Sequence, residues 1–103
     1  MSSRSEINFQ YNRAMRQAQQ LDNAAARLKR AADTNMEAIL NEVYLAWKSE
    51  NTPLYIRKGQ KVEQEIHAIA ENLTKTANTI RTVAERLRAA ELEAWRIAHE
   101  KSV

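Results

Sequence analysis

Cysteine is absent from this 103-residue chain, and glycine and proline occur once each, as Gly59 and Pro53. The absence of thiols excludes disulfides, thiolate nucleophiles and cysteine-ligated metals. The scarcity of Gly and Pro leaves little material for turns, so the chain should turn rarely. Aromatic residues make up only 6% and β-branched residues are sparse, which argues against a sheet. No apolar run approaches the length of a membrane span, so stable membrane insertion is not expected. The N-terminal stretch MSSRSEINFQ lacks the apolar segment of a secretory signal. An exported form would need a route that dispenses with such a signal.

What the chain does contain is Ala, Glu, Arg, Gln, Leu and Lys, all good helix formers. This is the composition of long helices or a coiled coil. The length suits a single domain. Many of the apolar residues are alanines, which bury little area each, and a thin core favours self-association or a partner. The net charge is +3 with both signs interspersed. Basic residues are densest from Lys75 to Arg88, where Lys75, Arg81, Arg86 and Arg88 face Glu85. Without a recognition motif this reads as a solvated helix face, and nucleic acid is not expected as a partner.

Apolar positions set the architecture. Met1–Glu6 is polar and expected to be disordered, Ile7-Asn8-Phe9 reads as a lead-in, and Asn8 suits an N-cap. Ala14, Ala18, Leu21, Ala25, Leu28, Ala32, Met36, Ile39, Val43 and Trp47 then recur in alternating steps of about four and three, with a stutter at Met36 and another at Trp47. The second half repeats the pattern strictly from Tyr55 through Gly59, Val62, Ile66, Ile69, Leu73, Thr76, Ile80, Val83, Leu87, Ala90, Ala94 and Ile97. Thr52 can cap this helix, and Pro53 suits its first position. Folding the chain at 49–51 pairs Ala14 with Leu87, Leu28 with Leu73, Ile39 with Val62 and Val43 with Gly59 at a nearly constant sum of residue numbers. The expected fold is all-α: an antiparallel two-helix hairpin over 1–103, with helix 1 at 8–47, a turn at 48–52 and helix 2 at 53–99. A break near Asp33-Thr34-Asn35, where Thr34 and Glu37 spell a capping box, would give three helices instead.

A second stripe flanks each seam. Ala24, Ala31, Ala38 and Leu45 recur every seventh residue on helix 1, as do Ala70, Ala77 and Ala84 on helix 2. A stripe wider than one hairpin can cover suits two hairpins packed as a four-helix bundle, with these seven residues at the interface.

No catalytic constellation stands out, and no cofactor is implied. His67 and His99 read as surface histidines with no neighbouring metal-ligand pattern. Glu63 with Glu65 and Glu91 with Glu93 are spaced by two, which sends each pair to diverging faces of a helix. Gly59, inside helix 2, reads as a packing glycine. Tyr44, Trp47 and Tyr55 cluster around the turn, where Trp47 should plug the hairpin end. Trp95 lies beyond the paired seam, as an aromatic anchor for a partner or a cap on the bundle end.

The segment Leu45-Ala46-Trp47-Lys48-Ser49-Glu50-Asn51, the lead-in Ile7-Asn8-Phe9 and the two-helix layout resemble the WXG family, the small ESAT-like proteins of type VII (ESX) secretion systems. The resemblance covers Ile7 to Ala98. Ser49 stands where the family usually has Gly. The resemblance implies a non-enzymatic helical hairpin that forms dimers, with Trp47 and Ser49 as its turn motif. It further implies export without a signal peptide, from a Gram-positive bacterium, with a cytoplasmic stage before export. Implied partners are a second copy, a homologous hairpin, or a larger toxin with a similar N-terminal domain, together with the secretion ATPase. Family members carry a C-terminal aromatic followed four residues later by an acid. Here Trp95 is the candidate aromatic, position 99 is His, and Glu100 is the candidate acid. The rival reading is a cytosolic coiled-coil adaptor or chaperone unrelated to secretion.

Overall fold

In the computed structural model, which describes residues 3–47 and 52–101, the chain is a helical hairpin of α1 (Arg4–Trp47) and α2 (Thr52–Lys101). Among the described residues there is no strand. The first helix begins earlier than its apolar pattern suggested. The Glu6 amide donates to Ser3 Oγ at 3.1 Å, and the Ser3 amide donates to Glu6 Oε2 at 3.4 Å. Ser3 and Glu6 thus form a reciprocal capping box that satisfies two otherwise orphaned N–H groups. Asn8, expected as the cap, lies inside the helix and is half-buried. The Ser-x-x-Glu signature was present at 3–6, but no apolar periodicity precedes Ile7 to draw attention to it.

Helix α1 runs unbroken through Asp33-Thr34-Asn35, so the three-helix alternative does not form. The polar triplet costs some helix propensity, but the flanking apolar positions carry the helix through it. Helix α2 starts at Thr52, with Pro53 in its first turn, where a missing N–H leaves no hydrogen bond unmade.

The chain comprises two compact units. The terminal unit joins Met1–Leu21 to Lys75–Val103, and the central unit is Asp22–Thr74. In the terminal unit the buried side chains are Ile7, Ala18, Ala77 and Ala84. In the central unit they are Ala25, Ala32, Thr52 and Ala70. Both units are therefore closed mainly by alanines at seven-residue spacing, whose small side chains let two helix backbones approach closely. Each such residue removes little apolar area from water compared with a leucine.

This arrangement corrects the expected seam on α2. Val62, Ile69, Val83 and Leu87, expected to face α1, are 44–55% exposed. Ala70 and Ala77, expected at an interface between hairpins, are fully covered within the single chain, and Ala84 is 7% exposed. The pairing along the hairpin changes little, and Ala14 still lines one groove with Leu87. Gly59, expected opposite Val43, meets the Leu40 side chain, about one helical turn away. The expectation failed because α2 carries two seven-residue rows side by side, and spacing alone does not choose between them.

Candidate interaction surface

Turning α2 so that its alanines face inward leaves one row of its larger apolar residues outward, while Ile66, Leu73 and Ile80 stay half-buried. Tyr55, Val62 and Ile69 in the central unit, and Thr76, Val83, Ala90 and Ile97 in the terminal unit, follow at seven-residue intervals, and every one of them is exposed. Residues so spaced lie along one side of a helix. In the terminal unit this row borders a shallow apolar groove in which Ile80, Val83 and Leu87 of α2 meet Ala14 of α1. On α1, Ala31, Ala38 and Leu45 are exposed and Ala24 is half-buried, so the chain itself does not cover this flank. Ala70, Ala77 and Ala84, expected at such a flank on α2, are covered by the chain itself, and the row one position before them is exposed.

The turn motif yields less. The Trp47 side chain and Ser49 lie outside the described residues. Tyr44 is exposed and lines a groove of the central unit with Leu40 and Ile56.

The candidate export residues sit in the terminal unit. Trp95 is half-buried and stacks on His99, with ring centroids 3.9 Å apart. The Nδ1–H of His99 donates to the Trp95 carbonyl at 2.8 Å, which fixes the ring one turn above the indole. The Arg4 guanidinium lies 5.9 Å from the Trp95 ring, so the early start of α1 gives this indole a neighbour that the sequence pattern withheld. Glu100 accepts a hydrogen bond from Arg96 Nη1, and Arg96 also pairs with Glu93. These contacts hold the Glu93 carboxyl below its usual range, first through the hydrogen bond from Arg96 and then through its charge. Nearer the middle of this unit, Arg88 places its guanidinium 4.4 Å from the centre of the Tyr11 ring, a close cation–π contact between the helices.

The central unit brings together residues that the sequence kept apart. Asp33 of α1 and Glu63 and His67 of α2 direct their ligand-capable atoms to within 4.8 Å of one another. The His67 Nε2–H donates to Asp33 Oδ1 at 2.6 Å. That hydrogen bond is the main reason the Asp33 carboxyl is held below its usual range, with smaller help from the charges of His67 and Lys29. Glu63 is pushed the other way. Lost hydration raises it first, then a hydrogen bond with Asp33, then the negative charges of Asp33 and Glu37. His67, expected to be a surface histidine, is half-buried in this cluster. Sequence spacing could have flagged two features, the i,i+4 pairs Asp33/Glu37 and Glu63/His67, but only the antiparallel register sets one pair against the other.

The fold defines an all-α helical hairpin with an apolar row left open on α2. No protein-family model matches the chain, and neither does any curated protein or solved structure.

Proposed function

We propose that the protein is a non-enzymatic pairing module of a type VII (ESX-like) secretion system, either a secreted substrate or the helical partner of a secreted toxin. The observation that carries this reading is the exposure of Tyr55, Val62 and Ile69 of α2 and of Ala31, Ala38 and Leu45 of α1 in the central unit, and of Val83 and Ile97 of α2 in the terminal unit. A chain whose own seam is closed by alanines and half-buried leucines and isoleucines leaves a further row of bulky apolar residues uncovered, and a second helical hairpin offers complementary rows of the same spacing. Pairing of this kind gives a four-helix bundle. The resemblance of the Leu45–Asn51 segment to the WXG family supplies the secretion context. In that context Trp95 and Glu100 are the candidate export signal, read by the secretion ATPase, and the protein leaves the cytoplasm of a Gram-positive cell without a signal peptide.

The test has two arms. Sedimentation of the purified chain, alone and with hairpin proteins encoded beside it, should find a dimer that Ile69→Asp and Val83→Asp disrupt while helicity is retained. Export of a tagged chain should stop when the secretion ATPase is deleted. A chain that remains monomeric at high concentration and binds no neighbour would refute pairing. Pairing without ATPase-dependent export would favour the cytosolic adaptor instead.

A further inference from the structure

We infer that the central unit carries a zinc-binding site formed by Asp33, Glu63 and His67, with Glu37 as an adjacent third carboxylate. Two i,i+4 pairs, Asp33/Glu37 on α1 and Glu63/His67 on α2, are brought together by the hairpin, and on each helix such spacing places both side chains on one face. An imidazole and two carboxylates already lie with their ligand atoms within 4.8 Å of one another. Zinc takes nitrogen and carboxylate oxygen at about 2.0–2.2 Å in tetrahedral geometry, which needs ligand atoms roughly 3.4 Å apart. Rotamer adjustments of partly exposed side chains cover the difference.

The chemistry of the set selects the ion. Calcium and magnesium prefer all-oxygen shells, whereas an imidazole beside carboxylates suits zinc and its first-row neighbours. The cluster also has a reason to take up a cation. Asp33 and Glu63 set two carboxyl groups within 4.8 Å of each other, where their like charges repel. A divalent ion would replace this repulsion with shared coordination. The proton that His67 Nε2 donates to Asp33 would move to Nδ1 or to solvent as the metal takes its position. Because the ligands come from both helices, a bound ion would clip α1 to α2 and stabilise the folded hairpin.

Isothermal titration of the full chain with Zn2+, and the visible absorption of Co2+ in its place, should give one ion per chain with micromolar affinity. His67→Gln and Glu63→Gln should each weaken binding about tenfold or more, whereas His99→Gln should leave it unchanged. Zn2+ should raise the Tm of the wild type and leave that of His67→Gln unmoved, with circular dichroism confirming that the variants remain helical. The site is wrong if no saturable binding occurs at micromolar Zn2+. It is equally wrong if His67→Gln binds as tightly as the wild type, if Ca2+ displaces Zn2+ at equal concentration, or if one ion binds per two chains.

Discussion

The terminal and central units use the same alanine spacing to bring α1 and α2 together, yet they place different chemistry beside it. In the terminal unit the neighbours of the seam are aromatic and cationic, with Arg88 over Tyr11 and Arg4 near Trp95. In the central unit they are acidic, with Asp33 and Glu63 around His67 and Glu37 near Glu63. The first kind of contact is attractive without a third group, although the ring face leaves the buried Arg88 Nε without an acceptor. The second is unbalanced, since one carboxyl is held below its usual range and its neighbour above. A seam of small residues fixes little beyond backbone distance, and the flanking side chains decide whether a unit is self-sufficient or invites a ligand.

The largest expected effect tests the seam itself. Ala77→Glu puts a carboxylate where no solvent reaches and should cost about 3 kcal/mol or more. Ala31→Glu, on the exposed flank of α1, should stay within about 0.5 kcal/mol in a monomeric chain. Urea unfolding followed by circular dichroism at low protein concentration separates the two. Equal costs would mean that Ala77 is not at the helix contact and that the expected seam through Ile69 and Val83 had been the right one.

A smaller effect concerns the terminal unit's flank. Tyr11→Leu keeps an apolar side chain and removes the ring beneath Arg88, whose Nε is buried and meets no hydrogen-bond acceptor. The loss should be about 1 kcal/mol. If Tyr11→Leu and the wild type have the same urea midpoint, the guanidinium is held by packing of its alkyl stem, and the ring is incidental.

The helices and their antiparallel pairing were legible from composition and period, because a chain with one Gly and one Pro has few other ways to arrange seven-residue apolar repeats. The choice of face on α2 was not. Ile69 and Ala70 are adjacent, each sits in a regular row, and a rule that sends larger apolar residues inward picks the wrong one. Helix packing can instead favour the smaller row, because close backbone approach covers alanines completely and leaves isoleucine and valine for a further surface. The cap at Ser3 was written plainly as Ser-x-x-Glu but preceded the periodic region. The Asp33, Glu63 and His67 cluster depends on a pairing between helices more than thirty residues apart in sequence; the expected register already set Asp33 near His67, and the cluster was hidden because each residue was read along its own helix.

The smallest expected effect addresses the imbalance in the central unit. Glu63 is held above its ordinary range, so the folded state favours its protonated form. Its ionisation therefore opposes folding. That opposition is absent below the pKa of the unfolded chain and is fully present once the pH exceeds the folded value. Glutamine resembles the protonated acid, so Glu63→Gln should raise the Tm slightly at neutral pH, in the presence of a chelator. The gain should fade as the pH falls through the carboxylate range. Asp33 has the opposite sign. Its carboxyl is held below the ordinary value, so its ionisation supports folding above the unfolded pKa, and that support is lost as the pH falls through the folded one. Asp33→Asn should accordingly lower the Tm at neutral pH and make little difference in strong acid. Both side chains touch water, so the shifts should be modest, and their opposite directions are the informative result. A Glu63→Gln variant less stable than wild type at neutral pH would mean that attraction to His67 outweighs repulsion from Asp33 and Glu37. The metal-free central unit would then be as well balanced as the terminal one.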